Sequence, residues 1–262
     1  MVQTRTRIAG TSLPLPVNTP IATVGSTDFF DSSHARTGDA EKQKELGDKL
    51  GHDVVAELWQ HVFCDVPDFL KTMFPVDEGL ISRVYTSMKS SKCYKHKEET
   101  PHWAKYPIRP NNEASLYAPF VKLVQDIKGS MERMKTNKPA LNDLQWHVTS
   151  STTPATRDPY IPAIKPDIVA ALPVPQGGIP WSRIVVPIEV KKSATTTYPG
   201  PAILQLLKYV RLIFRESHDR CFVFGIVLAR SNMAVYLADR TGVIGSAVFD
   251  LHAVSALAYF AK

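Results

Sequence analysis

Residues 184–191, Ile-Val-Val-Pro-Ile-Glu-Val-Lys, alternate in a way that limits what this chain can fold into. A period of two puts Ile184, Val186, Ile188 and Val190 on one face of a strand and Val185, Pro187, Glu189 and Lys191 on the other. An acid and a base therefore share a face whose reverse side is wholly apolar. Upstream, residues 166–172, Pro-Asp-Ile-Val-Ala-Ala-Leu, read as a second strand, and residues 173–180, with Gly177 and Gly178, read as the connection that turns the chain back. Asp167 and Glu189 stand equally far on either side of Gly178. Antiparallel pairing about that glycine sets them opposite each other on one face.

Two carboxylates and one ammonium then converge, and that trio suits phosphodiester cleavage. Paired carboxylates supply the oxygen ligands that magnesium, or manganese, prefers. The cation polarises a phosphoryl oxygen and acidifies a bound water, while the lysine positions the water or offsets charge developing on phosphate. A second acid-x-lysine triplet, Asp126-Ile-Lys128, falls in a helical pattern, where residues two apart point to nearly opposite sides. Pro187 lacks an amide donor, so its strand is either bulged there or unpaired on its amide side.

Pro166-Asp167 followed by Glu189-Val190-Lys191 resembles the PD-(D/E)XK nuclease superfamily. Gln205-Leu-Leu-Lys-Tyr209, fourteen residues after Lys191, is similar to the Gln-x-x-x-Tyr motif of its RecB-like branch, and the i, i+4 spacing puts Gln205 and Tyr209 on one helix face. The resemblance implies an α/β (α+β) restriction-endonuclease-like core, a mixed sheet flanked by helices. It implies a magnesium-dependent nuclease with Asp167, Glu189, Lys191, Gln205 and Tyr209 in the catalytic site, Mg2+ or Mn2+ held by Asp167, Glu189 and Glu113, and DNA or RNA as partner. From spacing alone, Gln205 and Tyr209 flank the stripe of Ile203, Leu207, Val210 and Phe214, which reads as a partly exposed helix face. Glu113 shares a face with Leu116, Phe120 and Val124, pointing coreward, yet a glutamate after Asn111 and Asn112 can also simply complement a helix dipole. Pro119 either kinks that helix or marks its first turn.

A wider set of segments looks like the region preceding the catalytic domain of fungal-type protein kinases. It runs from Glu113-Ala-Ser-Leu-Tyr-Ala-Pro-Phe-Val through Trp181-Ser-Arg to Asp239-Arg-Thr-Gly-Val-Ile-Gly-Ser and Phe249-Asp-Leu-His252. The chain carries no G-x-G-x-x-G loop, no H-R-D catalytic loop and no D-F-G, and His218-Asp-Arg220 has the wrong order. Kinase activity is therefore not expected. This resemblance implies instead a non-catalytic binding or regulatory module.

With 262 residues, 44% of them hydrophobic, the chain can bury one good core and an accessory layer. A net charge of +6 is compatible with a polyanionic partner without demanding one. Lys89, Lys92, Lys95 and Lys97 form the densest basic run, readable as a phosphate contact, an import signal or a solvated loop. Three scattered cysteines, Cys64, Cys93 and Cys221, indicate neither a disulfide framework nor a zinc site. There is no signal-length apolar run near the start and no membrane-length one later, so an intracellular setting, cytoplasmic or nuclear, is expected.

Residues 1–38 are rich in Thr, Ser, Pro and Gly without periodicity and read as a disordered or loosely docked arm. Residues 39–110 read as a helical accessory region: Asp39 as an N-cap, then Leu46, Leu50, Val54, Leu58 and Val62 at helical spacing, then short helices over 69–74 and 80–88. Residues 111–262 form the nuclease-like core. Its expected order is helix 113–135, strands 144–150, 166–172 and 183–192, helix 201–216, a hairpin of 221–229 with 233–238, a strand in 243–249 and a closing helix from about Asp250.

Overall fold

A computed structural model describes residues 40–75, 77–96, 100–134, 144–156, 158–174, 177–193, 200–253 and 256. The expected arm over 1–38, the cap at Asp39 and most of the closing helix lie outside these. The helices are α1 (Ala40–Leu58), α2 (Phe69–Met73), α3 (Glu78–Ser90), α4 (Ala114–Met134) and α5 (Gly200–Glu216). The strands are β1 (Val62–Phe63), β2 (Tyr94–Lys95), β3 (His102–Trp103), β4 (Gln145–Val148), β5 (Ile168–Ala171), β6 (Ile184–Lys191), β7 (Phe222–Ala229), β8 (Asn232–Asp239), β9 (Val243–Gly245) and β10 (Phe249–Asp250).

One mixed sheet runs in the order β1-β9-β8-β7-β6-β5-β4, with β10 also on β8. Helices cover both faces. Ile168, Ile188, Val190, Ile226 and Leu228 pack with Leu116, Phe120 and Ile127 of α4, whereas Val169, Val227, Ala234 and Tyr236 pack with α5 and, beyond it, with Leu50 and Val54 of α1. Each fully buried aliphatic side chain in these layers is worth roughly 1.5–3 kcal/mol over exposure. The β6–α5–β7 unit makes the parallel pair at the centre; the neighbouring pairs β5–β6 and β7–β8 are antiparallel.

The register expected from the symmetry about Gly178 is the one observed: Ile168 faces Ile188, Val169 faces Pro187 and Ala170 faces Val186. Ala171 then faces Ile184, so Val185 is an extra residue and the strand is bulged there. The bulge rotates Ile184 out of the apolar set assigned to it by alternation, and it packs on the α5 side, while Ile188 and Val190 keep the α4 side. It also helps to seat Pro187. The Val190 N–H points toward β5 and the Lys191 carbonyl toward β7, so alternation aims the Pro187 nitrogen at β7, where pairing begins only at Ile188. No ladder bond is lost to the proline.

α4 starts at Ala114, not near Pro119, which lies inside it. Asn112 accepts from the Ser115 amide (2.9 Å) at the helix start. The Asp126–Lys128 triplet lies within α4 and its members pair along the helix with Lys122 and Glu132. Asp250 ends β10 rather than opening a helix, and residues 251–253 are a turn. In the basic run, Lys89 belongs to α3 and Tyr94 is buried, while Lys97 lies outside the described residues. No described helix is long and apolar enough to cross a membrane.

The β2–β3 hairpin clamps the turn that follows β10. Trp103 is 2% exposed, donates from Nε1 to the Leu251 carbonyl at 2.7 Å, and meets the Tyr94 ring edge-on with centroids 4.7 Å apart. Trp103→Ala is expected to cost about 3–5 kcal/mol of unfolding free energy, and Trp103→Phe clearly less, measured by urea denaturation. A cost below about 1 kcal/mol for the alanine variant would mean that the clamp is not part of the cooperative fold.

Candidate active site

The carboxylate of Asp167 takes over where the β5 ladder ends. Its Oδ2 accepts the Val190 amide at 2.8 Å, in place of the backbone carbonyl that a longer strand would offer. Thr149 fixes the adjoining backbone, its amide donating to the Asp167 carbonyl (2.9 Å) and its hydroxyl to the Pro166 carbonyl (2.7 Å). The other carboxylate oxygen, Oδ1, accepts the Tyr117 hydroxyl at 2.7 Å.

Glu189, on the facing strand, has a side chain only 3% exposed. Its Oε1 lies 2.8 Å from Lys191 Nζ, and its Oε2 is 2.8 Å from the Tyr209 hydroxyl. Gln205 Nε2 donates to the same hydroxyl at 3.0 Å, and the Lys165 carbonyl lies 2.9 Å from it. Lys191 also reaches Glu113 Oε1 at 3.8 Å, where both side chains are open to solvent. Glu113, Lys191, Glu189, Tyr209 and Gln205 are therefore joined by direct contacts, and Asp167 stands beside them on the amide between Glu189 and Lys191.

Gln205 and Tyr209 differ from their expected setting. They are buried, at 7% and 1% exposure, rather than on a half-exposed flank. α1 lies across the back of α5, held by Arg211 with Asp53 (3.7 Å) and Glu57, so that α5 is enclosed between α1 and the sheet. A helix apolar nearly all round is a buried one, and Ile203 to Val210 carries that signal. Glu113 sits one residue ahead of α4 and is half-exposed rather than turned into the core. Sequence reasoning missed Tyr117, although its i, i+4 spacing from Glu113 places both at the same end of the helix. It also missed Lys208, 1% exposed beside Tyr209, whose pKa burial pushes down to about 8 against the pull of Asp48 and Glu189.

Burial raises the Glu189 pKa to about 7, with Asp167 adding to the rise and Lys191 opposing it. Burial likewise raises Asp167 to about 6, opposed by the Tyr117 and Val190 hydrogen bonds. Burial works to lower Lys191, but Glu189, Glu113 and Asp167 outweigh it and the net shift is upward. Tyr209 stays a phenol, its pKa driven well up by burial and by Glu189. Tyr209 has one proton for two acceptors. When Glu189 is protonated it donates to Tyr209, which then donates to Lys165, and every polar atom is satisfied.

Lys191 is paired with Glu189 and Glu113 and is also pulled upward by Asp167, while the buried Lys208 acts on Glu189 from the α5 side. Asp167 and Glu189 have the oxygen donors that a hard cation takes, and each of their four carboxylate oxygens already meets a protein donor: Tyr117, the Val190 amide, Lys191 or Tyr209. Among the described residues no three of His, Cys, Asp and Glu gather closely enough to hold a metal ion, and Glu113 is linked to the other acids through Lys191.

Residues 173–257 match the family described as fungal protein kinase, which is less than half of the chain. No curated protein and no solved structure matches it. The matched stretch carries β6, α5 and β7–β10, and with them Glu189, Lys191, Gln205 and Tyr209.

Because Glu189 and Asp167 hold their protons more tightly folded than at their ordinary values of 4.5 and 3.8, they favour the folded state most in acid and lose that contribution as pH rises through about 6 to 7. Metal-free protein should therefore show a melting temperature that falls between pH 5 and pH 7.5. Glu189→Gln should flatten that slope and melt higher than wild type at pH 7.5. Parallel pH profiles for the two proteins would contradict the raised Glu189 pKa.

Proposed function

We propose that this chain is a metal-dependent phosphodiesterase of the PD-(D/E)XK type that binds and hydrolyses nucleic acid. The observation that carries the reading is the Glu189 carboxyl, buried and held at 2.8 Å by both Lys191 and Tyr209, with a second, partly buried acid, Asp167, one step beyond the paired register of the facing strand. A stability-driven core rarely keeps two carboxyls so close with raised pKa values, because each costs several kcal/mol to desolvate.

Asp167 and Glu189 would hold magnesium or manganese, with Glu113 as the third acid sharing Lys191. Bound there, the cation would supply Lewis-acid polarisation of a phosphoryl oxygen and a more acidic water. The protein's own groups divide the remaining work. Tyr117 and the Val190 amide orient Asp167, and Tyr209, steadied by Gln205, orients Glu189. The Lys191 ammonium, about a third exposed, is the group that meets solvent and can neutralise charge developing on a phosphate. Cytoplasm or nucleus is the setting proposed, consistent with three free cysteines.

A second reading is favoured by the family match: a non-catalytic binding or regulatory module akin to part of a fungal protein kinase. It requires no metal and no lysine chemistry, so partner binding would survive Lys191→Ala.

Incubation with labelled single- and double-stranded DNA and RNA separates the two. With magnesium or manganese, wild type should cleave at least one of these, chelator should abolish cleavage, and Lys191→Ala should lower the rate about a hundredfold or more with the fold intact. Calorimetry should show magnesium binding with proton release, lost in Asp167→Ala. A well-folded wild type that cleaves nothing and binds no metal would leave the second reading.

A further inference from the structure

Directly beside Lys191 the surface opens into a cavity of about 270 Å3. Its walls are Ala202 from the first turn of α5, Val227 and Ala229 of β7, and Ala234 of β8. Lys191, Lys192 and Asn232 stand at its polar side. Ala202, Val227 and Ala234 lie on the α5 side of the sheet, the side to which Glu189 turns, while Met233 and Glu113 close the cavity from elsewhere.

The contrast between the two ends of this cavity defines its ligand. Alanine and valine side chains leave room between strand and helix and offer dispersion contact without demanding a hydrogen bond, which suits the face of a flat heteroaromatic ring. Asn232, exposed at the start of β8, presents both a donor and an acceptor to the edge of such a ring. Glu113 also lines the mouth and shares Lys191 with Glu189, so the exposed Lys192 is the cation placed to meet a phosphate attached to that ring. The volume is just below the roughly 300–1,000 Å3 of sites for larger small molecules, enough for one base with part of its sugar. A base within a duplex is stacked and paired and cannot enter a pocket of this kind without being extruded.

We propose that this cavity receives one unpaired base of the strand whose phosphodiester lies at Lys191, which makes single-stranded nucleic acid the substrate class of the site. The proposal rests on the phosphodiesterase reading and adds to it a reason for strand selection. Asn232 reads the edge of the base, Lys192 contacts the neighbouring phosphate, and neither takes part in the reaction.

The test uses the full chain with magnesium or manganese and three labelled substrates, each in DNA and RNA form where that exists: a single strand, the same sequence as duplex, and a strand of abasic tetrahydrofuran units. Wild type should cleave the single strand roughly tenfold or more faster than either of the others. Ala229→Leu, which fills the cavity from β7, should bring the single-strand rate down to the abasic rate and leave the abasic rate unchanged. Ala202→Leu fills it from α5 and should do the same if the first variant proves unstable by melting temperature. Cleavage of duplex as fast as single strand, or well-folded Leu variants that cut single strands like wild type, would overturn the cavity proposal and leave the phosphodiesterase reading standing. Failure of wild type to cleave any substrate would sink that reading and this proposal with it.

Discussion

Much of this molecule depends on one hydrogen bond, from the Val190 amide to the Asp167 carboxylate. It extends the β5–β6 register one step beyond the last paired strand residue, so that Glu189 stands opposite Asp167 and Lys191 follows on the same face. A slip of one residue would send Glu189 and Lys191 into the layer occupied by Phe120 and Ile127 and bring Val190 out, an exchange that no apolar core tolerates. The bond also commits Asp167 to a partly buried position. Two acids so placed destabilise the metal-free protein at neutral pH, and the structure offsets that cost with donors: Tyr117, Tyr209, Lys191 and the amide itself.

The surroundings of α5 follow from the same demand. A tyrosine that must hold a buried carboxyl has to be held in turn, and Trp181 lies against its ring at a centroid distance of 6.2 Å while Gln205 fixes its oxygen. α1 closes the outer side with Leu50 and Val54, and its acids pair with Arg211. The charge of Lys208 is buried in this layer between Asp48 of α1 and Glu189 of the sheet. An amino-terminal helix is thereby in electrostatic contact with the candidate active site through one lysine.

Those relations divide into what local pattern encodes and what only packing decides. The positions of β5 and β6, their register, the hairpin of β7 with β8 and the gathering of Glu189, Lys191 and Asp167 were legible, because strand period and the spacing about Gly178 are local quantities. The bulge at Val185 was legible only as a conflict around Pro187. The destination of Ile184 was not, since a single inserted residue inverts every assignment beyond it. Burial of Gln205 and Tyr209 was signalled by the nearly all-round apolarity of residues 203–210 and not by the stripe of α5 taken alone, because the second layer that buries them is α1, a partner far away in sequence. Tyr117 escaped for the same reason: its hydroxyl meets Asp167 only once α4 has packed on the sheet.

The boundary of the fungal protein kinase match cuts through this site. Glu189, Lys191, Gln205 and Tyr209 lie inside it, whereas Asp167, Tyr117 and Glu113 precede it. Within the matched part alone, Glu189 has Lys191 at 2.8 Å, a tyrosine hydroxyl and the nearby charge of the buried Lys208, so its carboxylate is already balanced there. The two further acids, Asp167 and Glu113, come from the other half. Asp167 adds a second carboxyl beside that pair and helps to raise the Glu189 pKa, and it does so from a segment that the match leaves out. The similarity of residues 173–257 therefore bears on the scaffold that holds Glu189, while the coupling that raises its pKa comes in part from an acid just ahead of β5.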